Sequence, residues 1–289
     1  MNGAATACKF YLSSSRRAMS KMATTASYMD HPVHKRLEKQ DVSDLYRWHA
    51  VACLVHLTQA VVLFALSDLE KSVDLLWPKY LVWKNPDSKP SRFDVAFALR
   101  FEVIPPLFLL FASSHHAVCV YQWFYGDYKE RTEQGLAYYC WLEYSISASL
   151  MNVLIVVLCG NLDVFVHMFV FVCTAVTMFE GVWIEEAVNR CEISTALWHF
   201  LSGCIPFLAV WSVIVSYFAD NANGAPDFVY AIVVALFSLE SSFAVNTLFY
   251  IYSQDVRKYE RVKIVLSGVS KSTLAWLVFG GTRGMSRTL

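Results

Sequence analysis

Three observations predict an all-α membrane protein built as a bundle of seven transmembrane helices. Of the 289 residues, 56% are hydrophobic and only 17% are charged, whereas a typical soluble domain is about 45–50% apolar and about 25% charged. Seven apolar stretches follow one another at 48–67, 97–121, 136–159, 163–187, 195–218, 227–252 and 261–280, each near the ~20 residues a helix needs to cross the hydrocarbon core. The connections after the third, fourth, fifth and sixth stretches are short, so consecutive helices should pack antiparallel in one bundle.

Ahead of the first span, residues 1–29 hold Lys9, Arg16, Arg17 and Lys21 among Ser, Thr and Ala, with no acid before Asp30, a composition that resembles a transit peptide. A disordered tail is the alternative, and Met19, Met22 and Met29 could each begin a shorter product. From His31 to Trp48 the charges thicken into a juxtamembrane helix at most. The organisation is therefore a cytoplasmic tail over 1–47, a bundle over 48–281 and a short tail over 282–289. Between the first two spans, VDLLWPKYLVWK precedes NPDSKPSR, and Trp77, Tyr80, Val82 and Trp83 around Pro78 suggest a small β-ribbon outside the membrane.

The eight cysteines lie mostly in apolar stretches without C-x-x-C spacing and read as buried small hydrophobes, not as a metal or disulfide framework. Zero net charge and a pI near 7.1 give no argument for nucleic acid. Fourteen Lys and Arg flank the spans on the side of the N-terminus and seven on the other, and ten still oppose seven when the first 29 residues are set aside. The excess of positive charge places the N-terminus in the cytoplasm.

The last span carries the chemistry. ERVKIVLSGVSKSTLAWLVFGG places Lys271 near the middle of an apolar segment. An ammonium at that depth is costly unless it is paired, hydrated, neutralised or used covalently. One covalent use is a Schiff base with an aldehyde such as retinal, which removes the free ammonium and suits an apolar bundle. The iminium needs a counter-ion, and Glu143 in WLEYSISASLMNVLIVVLCG is the best carboxylate for it. The third and seventh spans start on the same face. Glu143 then lies about 7 residues in and Lys271 about 10, a difference of roughly 5 Å at 1.5 Å per residue. A structural ion pair with a free amine remains the alternative on these residues alone. Ser267 precedes Lys271 by one turn and Ser147 follows Glu143 by one turn, so each hydroxyl shares the face of its charged partner. Apolar and aromatic candidates for a retinal slot are Tyr144, Met151, Met178, Trp198, Phe207 and Trp276.

WLEYSISAS, SGVSKSTLAW, and PDFVYAIVVALF leading into SSFAVN resemble the third, seventh and sixth helices of the heliorhodopsins, over a stretch from about Trp48 to Gly281. The resemblance implies a rhodopsin-like fold of inverted topology with all-trans-retinal on Lys271, Glu143 as counter-ion and a serine at the Ser267 position in the Schiff-base region. It also implies a homodimer with its contact at the extramembrane ribbon, and a non-enzymatic photoreceptor whose slow photocycle signals through an unidentified partner. His56 and His116 match positions where the family places histidines around a hydrated cytoplasmic cavity, available for proton transfer. His115 beside His116 points about 100° away on a helix, so this pair is a poor metal site and no metal is expected.

The chain departs from the family in several places. Ala112 stands where the family can carry a serine, and Glu240 falls where it usually has an aromatic against the polyene. Glu180 likewise interrupts an apolar run, whereas Glu102 near Arg100 reads as an interfacial ion pair. Glu180 and Glu240 are either neutral acids donating hydrogen bonds or, with His56, His116 and Asp163, parts of a proton-conducting chain. A transporter without chromophore lacks its usual internal repeats or paired broken helices. A G-protein-coupled receptor lacks its Asp-Arg-Tyr and Asn-Pro-x-x-Tyr motifs.

Overall fold

The computed structural model describes residues 38–68, 72–77 and 94–283. The elements are α1 (Leu45–Leu66), β1 (Val73–Trp77), β2 (Asp94–Leu99), α2 (Ile104–Tyr125), the short α3 (Tyr128–Glu133), α4 (Tyr138–Leu158), α5 (Val164–Asn189), α6 (Ile193–Asn221), α7 (Asp227–Ser253) and α8 (Val256–Thr282). Seven of these helices are long and apolar enough to cross a membrane: α1, α2 and α4–α8. Exposed Leu54, Val61, Ile205, Val234 and Val245 give the bundle an apolar outer surface suited to lipid chains.

Local chemistry explains most boundaries. Pro105 and Pro106 sit in the first turn of α2, where a missing N–H costs no intrahelical bond. The expected second span began at 97, but the preceding residues pair as strand β2 and a 3₁₀ turn over Phe101–Val103 leads into the helix. Asp163 caps α5 by accepting from the Phe165 N–H at 2.8 Å, and Asp255 caps α8 by accepting from the Lys258 N–H at 2.9 Å. That second cap starts the last helix at Val256, ahead of the expected 261.

The ribbon is antiparallel, β1 against β2, with an irregularity between Leu75 and Leu76. Leu76 N–H donates to the Leu162 carbonyl at 2.8 Å, which fixes the ribbon to the start of α5. The strands thus flank the segment singled out in the sequence: Trp77 ends β1, whereas Tyr80, Val82 and Trp83 lie outside the described residues, as does the 1–29 tail.

Buried apolar side chains form one core toward the ribbon, including Phe108, Leu154, Trp211, Leu236 and Leu274. A second core lies at the face where α1 begins and includes Tyr128, Trp141, Tyr144, Tyr250 and Tyr259. At that N-terminal face Asp44 accepts from Arg257 at 2.9 Å and also pairs with Arg261, joining the start of α1 to the start of α8.

Inside the second core lies a triad that sequence reasoning missed. Lys263 Nζ is 2.9 Å from Glu185 Oε1 and 2.7 Å from Glu260 Oε1, with all three side chains at most 2% exposed. Glu185 Oε2 also accepts from the Ala137 N–H at 2.7 Å, where α4 begins. Removing one member of a buried charged group leaves the others uncompensated, at a cost of about 3–5 kcal/mol. Lys263→Ala should therefore lower the melting temperature of the purified protein strongly; an unchanged melting curve would show that the triad does not hold α4, α5 and α8 together.

Candidate functional site

Between the two cores, α8 and α4 bring their charged residues together. Lys271 Nζ lies 3.3 Å from Glu143 Oε1 and 3.4 Å from Oε2, and both side chains are almost fully buried. Only the Oε2 contact has hydrogen-bond geometry; Oε1 is near but misaligned. One turn before Lys271, Ser267 accepts from Nζ at 2.7 Å, and Nζ stands 4.7 Å from the centre of the Tyr144 ring. The Tyr144 hydroxyl donates to the Lys263 carbonyl at 3.3 Å, linking this centre to the buried triad.

Lys271 opens onto a cavity lined by Tyr144, Met151, Met178, Glu180, Phe207, Glu240 and Ser267, together with Trp141, Asn152, Gly181, Gly203 and Phe243. The cavity has a volume of about 130 Å³. Gly181 is needed for this wall, because a Cβ there would come within 2.4 Å of the Trp141 ring.

Not every expected wall residue reaches the cavity. Trp198 is 71% exposed near the start of α6, and its side chain lies on the outer surface. Trp276 is turned toward α1, where Nε1 donates to Gln59 Oε1 at 2.9 Å. Both corrections have one cause: an aromatic ring in an apolar helix is as well accommodated against lipid as inside. Ser147 is buried near Glu143 in sequence but its hydroxyl has no partner among the described residues.

The extra acids are individually held. Glu240 Oε2 accepts from Trp211 Nε1 at 2.9 Å, and Oε1 is buried without a partner among the described residues. Glu180 takes a contact from His199 Nδ1 at 2.8 Å and from the Ser202 hydroxyl at 2.9 Å. Asp163 serves as a helix cap. Glu102 accepts from the Asp68 N–H at 2.7 Å and the Thr282 hydroxyl at 3.0 Å.

His56 and His116 lie with parallel rings 5.6 Å apart. Both nitrogens of His56 are buried without a partner among the described residues, and a Cβ on Gly268 of α8 would meet Nε2 at 4.0 Å. His116 Nδ1 is 2.8 Å from His49 Nδ1, and His49 Nε2 is 3.1 Å from the Tyr128 hydroxyl. Burial pushes that hydroxyl well above the ordinary tyrosine range, so it stays neutral. His49 was missed from the sequence, although its spacing of seven residues from His56 puts both on one face of α1.

A seven-helix bundle whose last long helix sets a buried lysine against a carboxylate of the third, beside an apolar cavity, has the architecture of the microbial rhodopsins. The chain is similar in fold to xanthorhodopsin, a light-driven ion pump with dual chromophore, at 12% identity and a TM-score of 0.63, covering 87% of this chain and 97% of that one. It is similar also to a light-driven proton pump from Leptosphaeria maculans, at 14% identity and a TM-score of 0.58, covering 83% and 98%. No curated protein matches the chain. The heliorhodopsin family pattern matches residues 45–283, and the chain belongs to the heliorhodopsin family.

Membership makes this an integral, multi-pass membrane protein and implies a retinal chromophore. The residues present fit that group: one amine opens into the cavity, a carboxylate stands beside it, and the wall is mostly apolar.

Proposed function

We propose that the protein is a light sensor, a photoreceptor and not an enzyme, that holds all-trans-retinal on Lys271 as a protonated Schiff base. The observation that carries this is the buried Lys271–Glu143 pair at the cavity, with Ser267 on the same nitrogen. Bound retinal supplies a polyene that absorbs visible light and changes shape on doing so. Lys271 fixes its end, Glu143 balances the positive charge, and Ser267 and Tyr144 set the direction of the nitrogen. The N-terminus is cytoplasmic in this reading, supported by the fourteen-to-seven excess of basic residues. The ribbon is the proposed contact of a homodimer.

Sensing is favoured over pumping by the half of α4 toward the ribbon, NVLIVVLCG, which is almost wholly apolar beyond Asn152. A pump needs proton or ion groups on both sides of the nitrogen. The expected result in voltage-clamped cells is no sustained light-driven current against an opposing gradient; such a current would overturn the sensory reading.

A second reading rests on the unpartnered Glu240 Oε1 at the cavity wall. Together with Glu180 and the histidines it would give a passive, light-gated proton conductance. It predicts photocurrents that reverse with the imposed proton gradient at two external pH values and that fall in Glu180→Gln or Glu240→Gln. Absence of current at every voltage assigns both acids to structure or colour tuning.

A further inference from the structure

Two side chains on the cavity wall each present a polar atom that the protein leaves unserved: Asn152 of α4 and Glu240 of α7. Asn152 follows Glu143 by nine residues on α4, which puts it roughly 13–14 Å further along the helix at 1.5 Å per residue. Its Nδ2 donates to the Thr174 hydroxyl at 3.2 Å, and Oδ1 is buried without a partner among the described residues. Trp211 Nε1 donates to Glu240 Oε2 at 2.9 Å, and Oε1 is likewise buried and unpartnered among the described residues. The two side chains are near enough for the Asn152 amide to act on the Glu240 carboxyl. Met151, Phe207 and Val210 line the same cavity and offer no hydrogen bond to either atom.

We propose that Asn152 and Glu240 receive a hydroxyl group on the ring of the bound chromophore, so that the protein takes a ring-hydroxylated retinal in preference to plain retinal. This inference rests on the retinal site proposed above and refines it.

The hydrogen-bond inventory selects a hydroxyl. Glu240 makes no ion pair among the described residues, and a carboxyl buried without a cation is kept as the neutral acid, which donates one O–H. A ligand hydroxyl can accept from that acid and donate to Asn152 Oδ1, serving both open atoms with one group. A ring ketone could accept from Glu240 but would leave Asn152 Oδ1 bare, and the hydrocarbon ring of plain retinal serves neither. A buried polar atom left unserved is costly, and a site built to hydrogen-bond a hydroxyl rejects the analogue that lacks it. Trp211 and Thr174 fix the two side chains beforehand, so binding does not have to order them.

The test is competition for chromophore-free, full-length protein between equal amounts of all-trans-retinal and its 3-hydroxy or 4-hydroxy derivative, with the bound chromophores released as oximes and separated by chromatography. At least one hydroxylated form is expected in about tenfold or greater excess over plain retinal. Asn152→Leu and Glu240→Leu should each bring that ratio to within about twofold of one. Glu240→Gln should keep most of the preference, because its amide still donates to a hydroxyl. The ratio is read within each protein, so a lower yield of loaded variant does not alter it, and a single size-exclusion peak reports a folded one. Equal uptake of all three retinals by the parent overturns the proposal, leaves the open atoms to water and keeps Lys271 as the attachment site. A preference that persists in folded Asn152→Leu and Glu240→Leu overturns it too. If neither Leu variant folds, the ratios of the parent and of Glu240→Gln decide. Failure of the parent to take up any of the three overturns the Lys271 reading itself, and this inference with it.

Discussion

Lys271→Ala is expected to abolish retinal-dependent colour completely while the protein still inserts in the membrane. Among the described residues no other lysine reaches the cavity wall: Lys263 is the nearest along α8 and is held by Glu185 and Glu260. The variant removes the only cavity-facing amine among the described residues and leaves Glu143 and Ser267 without their shared partner. The loss of charge is tolerable to the fold, because Glu143 can take a proton and become neutral instead of remaining a lone buried anion. Absorption spectra of parent and variant, normalised to the amount of membrane-inserted protein, make the comparison. A variant that keeps a covalently bound chromophore would end the assignment of Lys271.

Glu143→Gln has the second-largest expected effect. Its carboxylate is the acidic group in contact with Lys271, at 3.3 Å. Two unit charges 4 Å apart attract by about 4 kcal/mol at an effective dielectric near 20. Losing that attraction destabilises the protonated iminium and redistributes its positive charge along the polyene. The visible band should move to the red, or to the near ultraviolet where the nitrogen gives up its proton. Because glutamine keeps the size and one oxygen of the side chain, packing alone will not cause the change. An unchanged spectrum across neutral pH would transfer the counter-ion role to Glu240, the other acid at the cavity wall whose carboxylate is not held by a histidine.

The bundle and the charged centre were legible in the sequence because they are signals of length and of exception. A lysine and a glutamate standing alone in apolar runs can be located without knowing how any helix is rotated, and their depths follow from counting residues. What could not be read was rotation about each helix axis. Where a membrane helix is apolar on all sides, hydropathy does not say which side faces lipid. The sequence therefore suggests Trp198 and Trp276 for the wall, and both stand outside it. The same blindness hid His49, whose meaning depends on His115 and His116 of another helix. The Glu185–Lys263–Glu260 triad lay near the expected span ends, where charges read as interfacial; only packing shows that all three are buried. Residues 97–99 of β2 read as the start of the second span because they are apolar enough to continue a helix, and the pairing of β2 with β1 decides otherwise.

The most direct test of a retinal held covalently on Lys271 is the response of the purified, retinal-supplied protein to hydroxylamine. The account predicts a visible absorption band that hydroxylamine removes under illumination, with release of retinal oxime, and no such band in Lys271→Ala. A parent protein without a visible band after incubation with retinal, or a band that hydroxylamine removes equally from Lys271→Ala, would contradict it.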